Sequence, residues 1–147
     1  GNLMAGGAGV EYYFGYKAPQ NDLICEDLRS RDMSWDFCRH ALKFFRGLNM
    51  DLNTLQSSNE LDGGAAGENG NWCLAAEDEI YVVYLPEGGD VSIDLTEATG
   101  EYNVTWYNPR TGKARLSDTR IEGGRMIDLN STGKTGEDWA IALRRIR

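Results

Sequence analysis

The chain has 147 residues and a formal net charge of −8, with 41% hydrophobic and 26% charged residues. This length indicates one domain, or one domain with an appended piece, and the composition is that of a folded protein. The negative charge argues against nucleic acid or an anionic membrane as a partner, because both need a basic face, whereas a neutral glycan is compatible with it. The 18 glycines favour many turns and therefore a β-rich architecture.

A glycine-rich stretch at residues 6–16 reads Gly-Gly-Ala-Gly-Val-Glu-Tyr-Tyr-Phe-Gly-Tyr. Its glycines let the backbone pass close to other groups, and residues 3–5 before it are predicted to end a strand. The stretch combines one carboxylate with several aromatic rings, which are the residue types that line a sugar-binding cleft. An ordinary turn whose rings fill a core explains the same pattern, so both interpretations stay open. The side chains that would line a site are Glu11, Tyr12, Tyr13 and Tyr16.

An amphipathic helix is predicted at residues 33–48. The alternating acids and arginines at residues 25–32 before it either fix a loop by ion pairs or support a site. Asp32 or Ser34 is expected to cap the start of the helix, and Gly47 with Asn49 is expected to end it. Two neighbouring apolar rows form a wide stripe that has to be buried against another surface. The rows are Trp35, Cys38, Leu42 and Phe45, and Phe37, Ala41, Phe44 and Leu48.

The second half of the chain is predicted to be an antiparallel β-sandwich at about residues 70–147, so the fold class is mainly β. Residues 56–71 are rich in Ser, Asn, Glu and Gly, which predicts a loop and a domain boundary near Gly64. After Asn71 the apolar period changes to two, as half-buried strands require. Strands divided by turn signals are expected at residues 72–76, 80–85, 91–95, 102–107, 114–116, 125–129 and 139–143.

Three cysteines, Cys25, Cys38 and Cys73, cannot all pair within one chain. They include no Cys-x-x-Cys pair, so the sequence predicts neither a zinc ribbon nor a thioredoxin-type site. Cys38 and His40 are two residues apart on the predicted helix and therefore point in different directions. Buried thiols are expected, with no metal site and no cofactor.

Three segments carry a family resemblance. They are residues 3–16; Glu-Asp-Leu-Arg-Ser-Arg-Asp at 26–32 with the Trp35 helix; and Trp-Tyr-Asn-Pro-Arg-Thr-Gly at 106–112 with a closing Glu-Asp-Trp at 137–139. Together they resemble the C-terminal part of bacterial apiosidase-like proteins, which are glycoside-hydrolase-like and contain a (β/α)8 barrel. In those proteins a small β-sandwich, labelled a "putative collagen-binding domain", follows the barrel.

This resemblance implies that residues 1–63 are the last β/α unit of a barrel and that residues 64–147 are the appended sandwich. In related enzymes the catalytic carboxylates come from earlier strands, and hydrolysis needs a pair of them. We therefore expect no catalytic residue in this chain and no glycosidase activity from it alone. Glu11, Tyr12, Tyr13 and Tyr16 would line one wall of a polysaccharide subsite, because barrel sites lie at the C-terminal ends of the strands.

For the sandwich, the resemblance implies an accessory role in a secreted or periplasmic glycan-degrading protein, either structural or carbohydrate-binding. A stand-alone module that binds collagen or another protein is the alternative. Glycan binding would use exposed rings such as Tyr81, Tyr84, Tyr102 or Tyr107. Strand alternation places Trp106 in the core and Tyr107 on the other side, which makes Tyr107 the better exposed candidate. The Trp35/Phe45 face of the helix is expected to pack on the remainder of the barrel or on a second copy of the chain.

Overall fold

The computed structural model describes residues 2–10, 28–62, 70–130 and 136–147. In this part of the chain one α-helix, α1 (Asp32–Gly47), precedes eight strands. The strands are β1 (Gln56–Ser57), β2 (Trp72–Ala76), β3 (Ile80–Leu85), β4 (Val91–Leu95), β5 (Glu101–Asn108), β6 (Lys113–Glu122), β7 (Arg125–Leu129) and β8 (Trp139–Arg145). The predicted mainly β fold is therefore confirmed.

The strands form two antiparallel sheets. The larger sheet has six strands in the order β1-β2-β3-β8-β5-β6, and β4 pairs with β7 in a separate two-stranded sheet. The main core lies between the sheets and contains Val83, Ile93, Tyr102 and Ile141, each fully buried. Burying an aliphatic or aromatic side chain of this size contributes about 1.5–3 kcal/mol to folding. Alternate side chains along the strands point into this core, which explains the predicted apolar period of two.

The other face of the six-stranded sheet carries a second core. Val82 and Ile80 of β3 and Ala142 of β8 are buried there together with Leu48, which follows α1. Phe44 and Phe45 of the helix pack against the same cluster. Both faces of the central strands β3 and β8 are thus covered, and α1 shares a core with the sandwich. None of the helices in the described ranges has the length and apolar character that crossing a membrane takes.

Two predictions in the first part of the chain are wrong. Residues 3–5 belong to a 3₁₀ helix, Asn2–Ala5, which buries Met4 against the sheet instead of ending a strand. Neither Asp32 nor Ser34 caps α1, because the 3₁₀ helix Leu28–Arg31 runs directly into it and both residues lie inside the helix. The end of α1 agrees with expectation, since Asn49 has the left-handed φ of 48° that favours asparagine after a helix.

Two strand limits also differ from expectation. β6 extends over Lys113–Glu122, whereas residues 114–116 were expected. Most of its side chains are exposed and show no apolar alternation, so only its pairing with β5 reveals its full length. The sheet also begins earlier than residue 70, since β1 pairs with β2. The predicted boundary near Gly64 itself lies outside the described residues.

Candidate functional site

The predicted subsite residues Glu11, Tyr12, Tyr13 and Tyr16 lie outside the described residues, so the structure gives them no position. Tyr107 is described, and the expectation that it is exposed is wrong. Its side chain is 4% exposed, its ring lies 4.9 Å from that of Phe44, and its hydroxyl donates a hydrogen bond of 2.8 Å to the backbone oxygen of His40. Tyr107 does lie on the face opposite Trp106, but α1 covers that face.

The other tyrosines of the sandwich are also engaged in internal contacts. Tyr81 and Tyr102 are buried and pack edge-to-face at 5.7 Å, and the Tyr102 hydroxyl donates to the Thr99 carbonyl oxygen at 3.1 Å. Half-buried Tyr84 donates to a carboxylate oxygen of Asp138 at 3.2 Å. Burial raises the pKa of Tyr102 to about 12, and burial together with the Asp138 charge raises the pKa of Tyr84 to about 12.

The turn between β5 and β6 meets α1 at a contact that we call the helix–hairpin junction, formed by His40, Tyr107, Pro109 and Gly112. The Nδ1–H of His40 donates to the Pro109 carbonyl oxygen at 3.0 Å. Gly112 has φ +67°, and a Cβ added there would lie 2.5 Å from His40 Cδ2. Glycine is therefore required at position 112 for two reasons: it adopts the positive φ, and it has no Cβ to collide with the imidazole ring.

Asn108 shapes this turn from within. Its side-chain oxygen accepts hydrogen bonds from the backbone N–H groups of Arg110, at 3.0 Å, and Thr111, at 3.2 Å. Asparagine favours such turns because its short side chain can replace a backbone acceptor. The turn thereby presents the Pro109 carbonyl toward the helix and the Arg110 side chain toward the start of β8.

Arg110 links the turn to the start of β8. Its guanidinium group bonds the Asp138 carboxylate at 2.5 Å, the Asp138 carbonyl oxygen at 2.7 Å and the Glu137 carboxylate at 2.9 Å. The same group lies 5.9 Å from the ring centre of Trp139, whose ring packs edge-to-face on Trp106. A planar guanidinium presents five N–H donors in a rigid fork and can place its face against a ring, whereas an ammonium group has three donors and no planar face.

The C-terminal end of α1 is fastened separately. The Arg144 guanidinium on β8 donates a hydrogen bond to the carbonyl oxygen of Leu48, directly after the helix. A cation at this position is favourable because the last carbonyl groups of a helix carry partial negative charge. Hydrogen bonds at His40 and at Leu48 therefore attach the second half of α1 to the sandwich.

The described residues offer little for metal or thiol chemistry. They contain no group of three or more His, Cys, Asp or Glu side chains that could hold a metal ion. Cys73 is fully buried, as predicted, and Cys38 is half-buried. Burial, with the nearby charges of Asp62 and Glu60, raises the pKa of the Cys73 thiol to about 12.

Sequence reasoning missed the role of His40, which it considered only as a metal ligand. The local pattern of α1 contains no signal for it, because the partner of His40 is 69 residues away in the chain. The available signal was the Asn-Pro-Arg-Thr-Gly turn. Its glycine indicates that another group lies close to the backbone there, but the sequence does not identify that group.

Comparisons with known proteins agree with this architecture. The family model described as "Putative collagen-binding domain of a collagenase" matches residues 59–144, more than half of the chain. The chain is also similar to a solved glycoside hydrolase family 5 protein from Bacteroides vulgatus ATCC 8482, with a TM-score of 0.73 and 15% identity over 97% of this chain and 33% of that one. A second solved glycoside hydrolase gives a TM-score of 0.66 and 12% identity over 90% of this chain and 30% of that one.

The chain thus spans about a third of the length of these solved structures, and at such identities the similarity concerns the fold. A comparison with curated proteins gives no match.

Proposed function

Because the chain belongs to the family described as "Putative collagen-binding domain of a collagenase", we propose that it is a non-catalytic accessory region of a glycoside-hydrolase-like protein. Its role in this proposal is structural: the sandwich is fixed rigidly to the helix that precedes it. The proposal includes an apiosidase-like barrel of which residues 1–63 form the last β/α unit. The recurrence of this fold within longer glycoside hydrolase chains supports it.

The helix–hairpin junction is the observation that carries the proposal. A module connected by a flexible linker needs no specific contact with the segment before it, and interfaces between such modules are small and polar. Here Tyr107 and His40 are joined by a buried hydrogen bond, and the Phe44 ring contacts the Tyr107 ring in a tilted arrangement. The turn that resembles the family motif therefore serves to attach the helix.

The two described acids with shifted pKa values, Asp78 and Asp94, do not resemble the acid catalyst of a glycoside hydrolase. A general acid for glycoside hydrolysis needs a raised pKa. Hydrogen bonds from the Thr99 backbone and hydroxyl groups lower the pKa of Asp78, and hydrogen bonds from the Thr96 hydroxyl and backbone lower that of Asp94. Both shifts are in the direction opposite to the one that an acid catalyst requires.

A carbohydrate-binding role for the sandwich is less well supported than a structural one. Glycan platforms use exposed aromatic rings, whereas Tyr81, Tyr102 and Tyr107 are buried. The subsite proposed for Glu11, Tyr12, Tyr13 and Tyr16 is separate from the sandwich and remains part of the proposal. A glycan array tests for binding by the sandwich and by the subsite. Binding that the Glu11→Gln substitution abolishes would be assigned to the subsite. A secreted or periplasmic location follows from the same proposal.

Collagen binding is the alternative that the family description suggests. Surface plasmon resonance on immobilised triple-helical collagen, with heat-denatured collagen as the control, separates it from the structural role. The structural role predicts no saturable binding to either surface. Saturable binding to the triple helix alone would favour the alternative.

Native-state hydrogen exchange tests the structural role directly. If α1 and the sandwich unfold as one unit, the amides of the second half of α1 should exchange with the same opening free energy as those of β5 and β8. The proposal is contradicted if these helix amides exchange at least a hundredfold faster than the β5 and β8 amides. Incubation with plant and algal polysaccharides is expected to release no reducing sugar.

A further inference from the structure

A cleft lies at the C-terminal end of β8, at the end of the sandwich opposite the helix–hairpin junction. We call it the arginine cleft, and its volume is about 360 Å³. This volume falls within the range of small-molecule sites, roughly 300–1,000 Å³. The cleft is lined by Asp78, Glu79, Arg144, Arg145, Ile146 and Arg147. All of these side chains except Ile146 are charged, so a ligand held there would be polar or charged.

Arg145 is positioned in the cleft by contacts with two turns of the sandwich. Its Nη1 donates a hydrogen bond of 3.3 Å to the carbonyl oxygen of Asp78, in the turn between β2 and β3. Its Nε lies over Gly100, before β5, where an added Cβ would be 3.0 Å away. A guanidinium that is already oriented loses less conformational freedom when a ligand binds.

Arg144 supplies a second guanidinium. It is half-buried and donates a hydrogen bond to the carbonyl oxygen of Leu48. Neither Arg144 nor Arg145 forms an ion pair with a carboxylate of the described residues, and each bonds a single carbonyl oxygen. A guanidinium group has five N–H donors. Both arginines therefore retain donors, and a positive charge without an ion-pair partner, for a ligand.

The two acids of the cleft already accept hydrogen bonds from protein groups. Glu79 accepts from Arg147 Nη2 at 2.9 Å. Asp78 Oδ1 accepts from the backbone N–H of Thr99 at 2.7 Å and from its hydroxyl at 3.1 Å. Three arginines against two carboxylates leave the lining with a net charge of +1, in a chain with a net charge of −8. Such a cleft attracts a small anion, whereas the rest of the surface repels an extended polyanion.

We propose that the arginine cleft binds a small oxyanion, of the carboxylate or phosphate type, between Arg144 and Arg145. The planar fork of a guanidinium group matches the spacing of two oxygens in either anion, so each arginine can donate two parallel hydrogen bonds. The bound anion would connect β8 to the residue after α1 and to the turn between β2 and β3, through the contacts of the two arginines with Leu48 and Asp78. This inference goes beyond the proposed function and does not depend on it.

Nuclear magnetic resonance of the arginine side chains tests the inference, because the chain carries an internal control. Sodium acetate and, separately, sodium phosphate are titrated at constant ionic strength and neutral pH. The Nε–H signals of Arg144 and Arg145 should shift and saturate with the same dissociation constant. The signal of Arg125, which is exposed at the start of β7, should not saturate with them. Saturation by only one of the two salts would support the site and identify the class of its anion.

Matched variants locate the site. Arg145→Lys keeps the charge but removes the fork, and it should raise the dissociation constant read from the Arg144 signal about tenfold. Arg125→Lys should leave that constant unchanged, and the amide spectra show whether each variant is folded. The inference is overturned if the Arg144 and Arg145 signals shift without saturating, or if Arg145→Lys binds as tightly as the wild type. It is also overturned if dextran sulfate, a polyanion, binds the cleft more tightly per charged group than either small anion.

Discussion

The Nδ1–H of His40 donates a hydrogen bond to the carbonyl oxygen of Pro109, at 3.0 Å and across 69 residues of sequence. A carbonyl oxygen can only accept, so Nδ1 carries the proton in this contact. Two residues of the hairpin complete the junction. The Tyr107 hydroxyl donates a hydrogen bond to the His40 carbonyl oxygen, and Gly112 leaves room for the imidazole ring. The only histidine of the chain thus joins the helix to the sandwich.

Arg110→Lys should lower the free energy of unfolding by about 1–2 kcal/mol, because a lysine ammonium group has no planar fork to span the Glu137 and Asp138 carboxylates and no flat face to place against the Trp139 ring. Arg39→Lys is the matched control, since its ion pair with Asp36 is exposed and should contribute less than about 1 kcal/mol. Urea unfolding of both variants measures the difference. Equal losses would mean that the contacts of Arg110 with Glu137 and Asp138 add nothing beyond a surface pair.

The protein should lose stability in alkali as the pH rises from about 10 to about 12. Tyr84 and Tyr102 each have a pKa of about 12 in the folded protein, whereas tyrosine in an unfolded chain ionises near pH 10. Their stabilising contribution is therefore fully present below pH 10 and is lost as the pH rises through the folded pKa. Chemical unfolding at a series of pH values measures this loss.

Tyr102→Phe provides the control for that pH dependence. At neutral pH it should cost about 1 kcal/mol, through the lost hydrogen bond to Thr99. Above pH 10 its stability should fall less steeply than that of the wild type, because one ionising group has been removed. An unchanged slope would show that Tyr102 ionises in the folded protein as readily as in the unfolded one.

Cys73 should resist alkylation in the folded protein. Its thiol is fully buried and has a pKa of about 12, and the thiolate is the reactive form. A Cys25→Ser, Cys38→Ser variant leaves Cys73 as the only thiol. Iodoacetamide should modify it at a rate that follows global unfolding and rises with urea. Native-state alkylation at the rate of an exposed thiol would contradict the buried position.

The sequence predicted the strands well wherever one face of a strand is buried. Val91–Leu95 and Arg125–Leu129 agree with expectation at both ends, because their alternation reflects the core directly. Alternation failed at Tyr107 for a physical reason: it assigns a side chain to a face but does not tell what covers that face. Here α1 covers it, and the cover depends on a contact between residues far apart in sequence.

The apolar stripe of α1 likewise indicated that the helix packs against another surface, but it did not indicate which part of the stripe that surface covers. The position of His40 at the turn decides that Leu48 is covered and Met33 is not. The proposed subsite at Glu11, Tyr12, Tyr13 and Tyr16 lies outside the described residues and stays a prediction.

Gly112→Ala tests the helix–hairpin junction most directly, with Gly89→Ala as its control. Both glycines have positive φ, so alanine is strained at both, by about 1–2 kcal/mol. Only at position 112 does the new Cβ meet His40, at 2.5 Å, while nothing lies within 4 Å at position 89. We expect Gly112→Ala to cost about 1–2 kcal/mol more than Gly89→Ala, and this excess to disappear in a His40→Ala background. Equal costs of the two alanines, or an excess that persists without the imidazole ring, would contradict the junction.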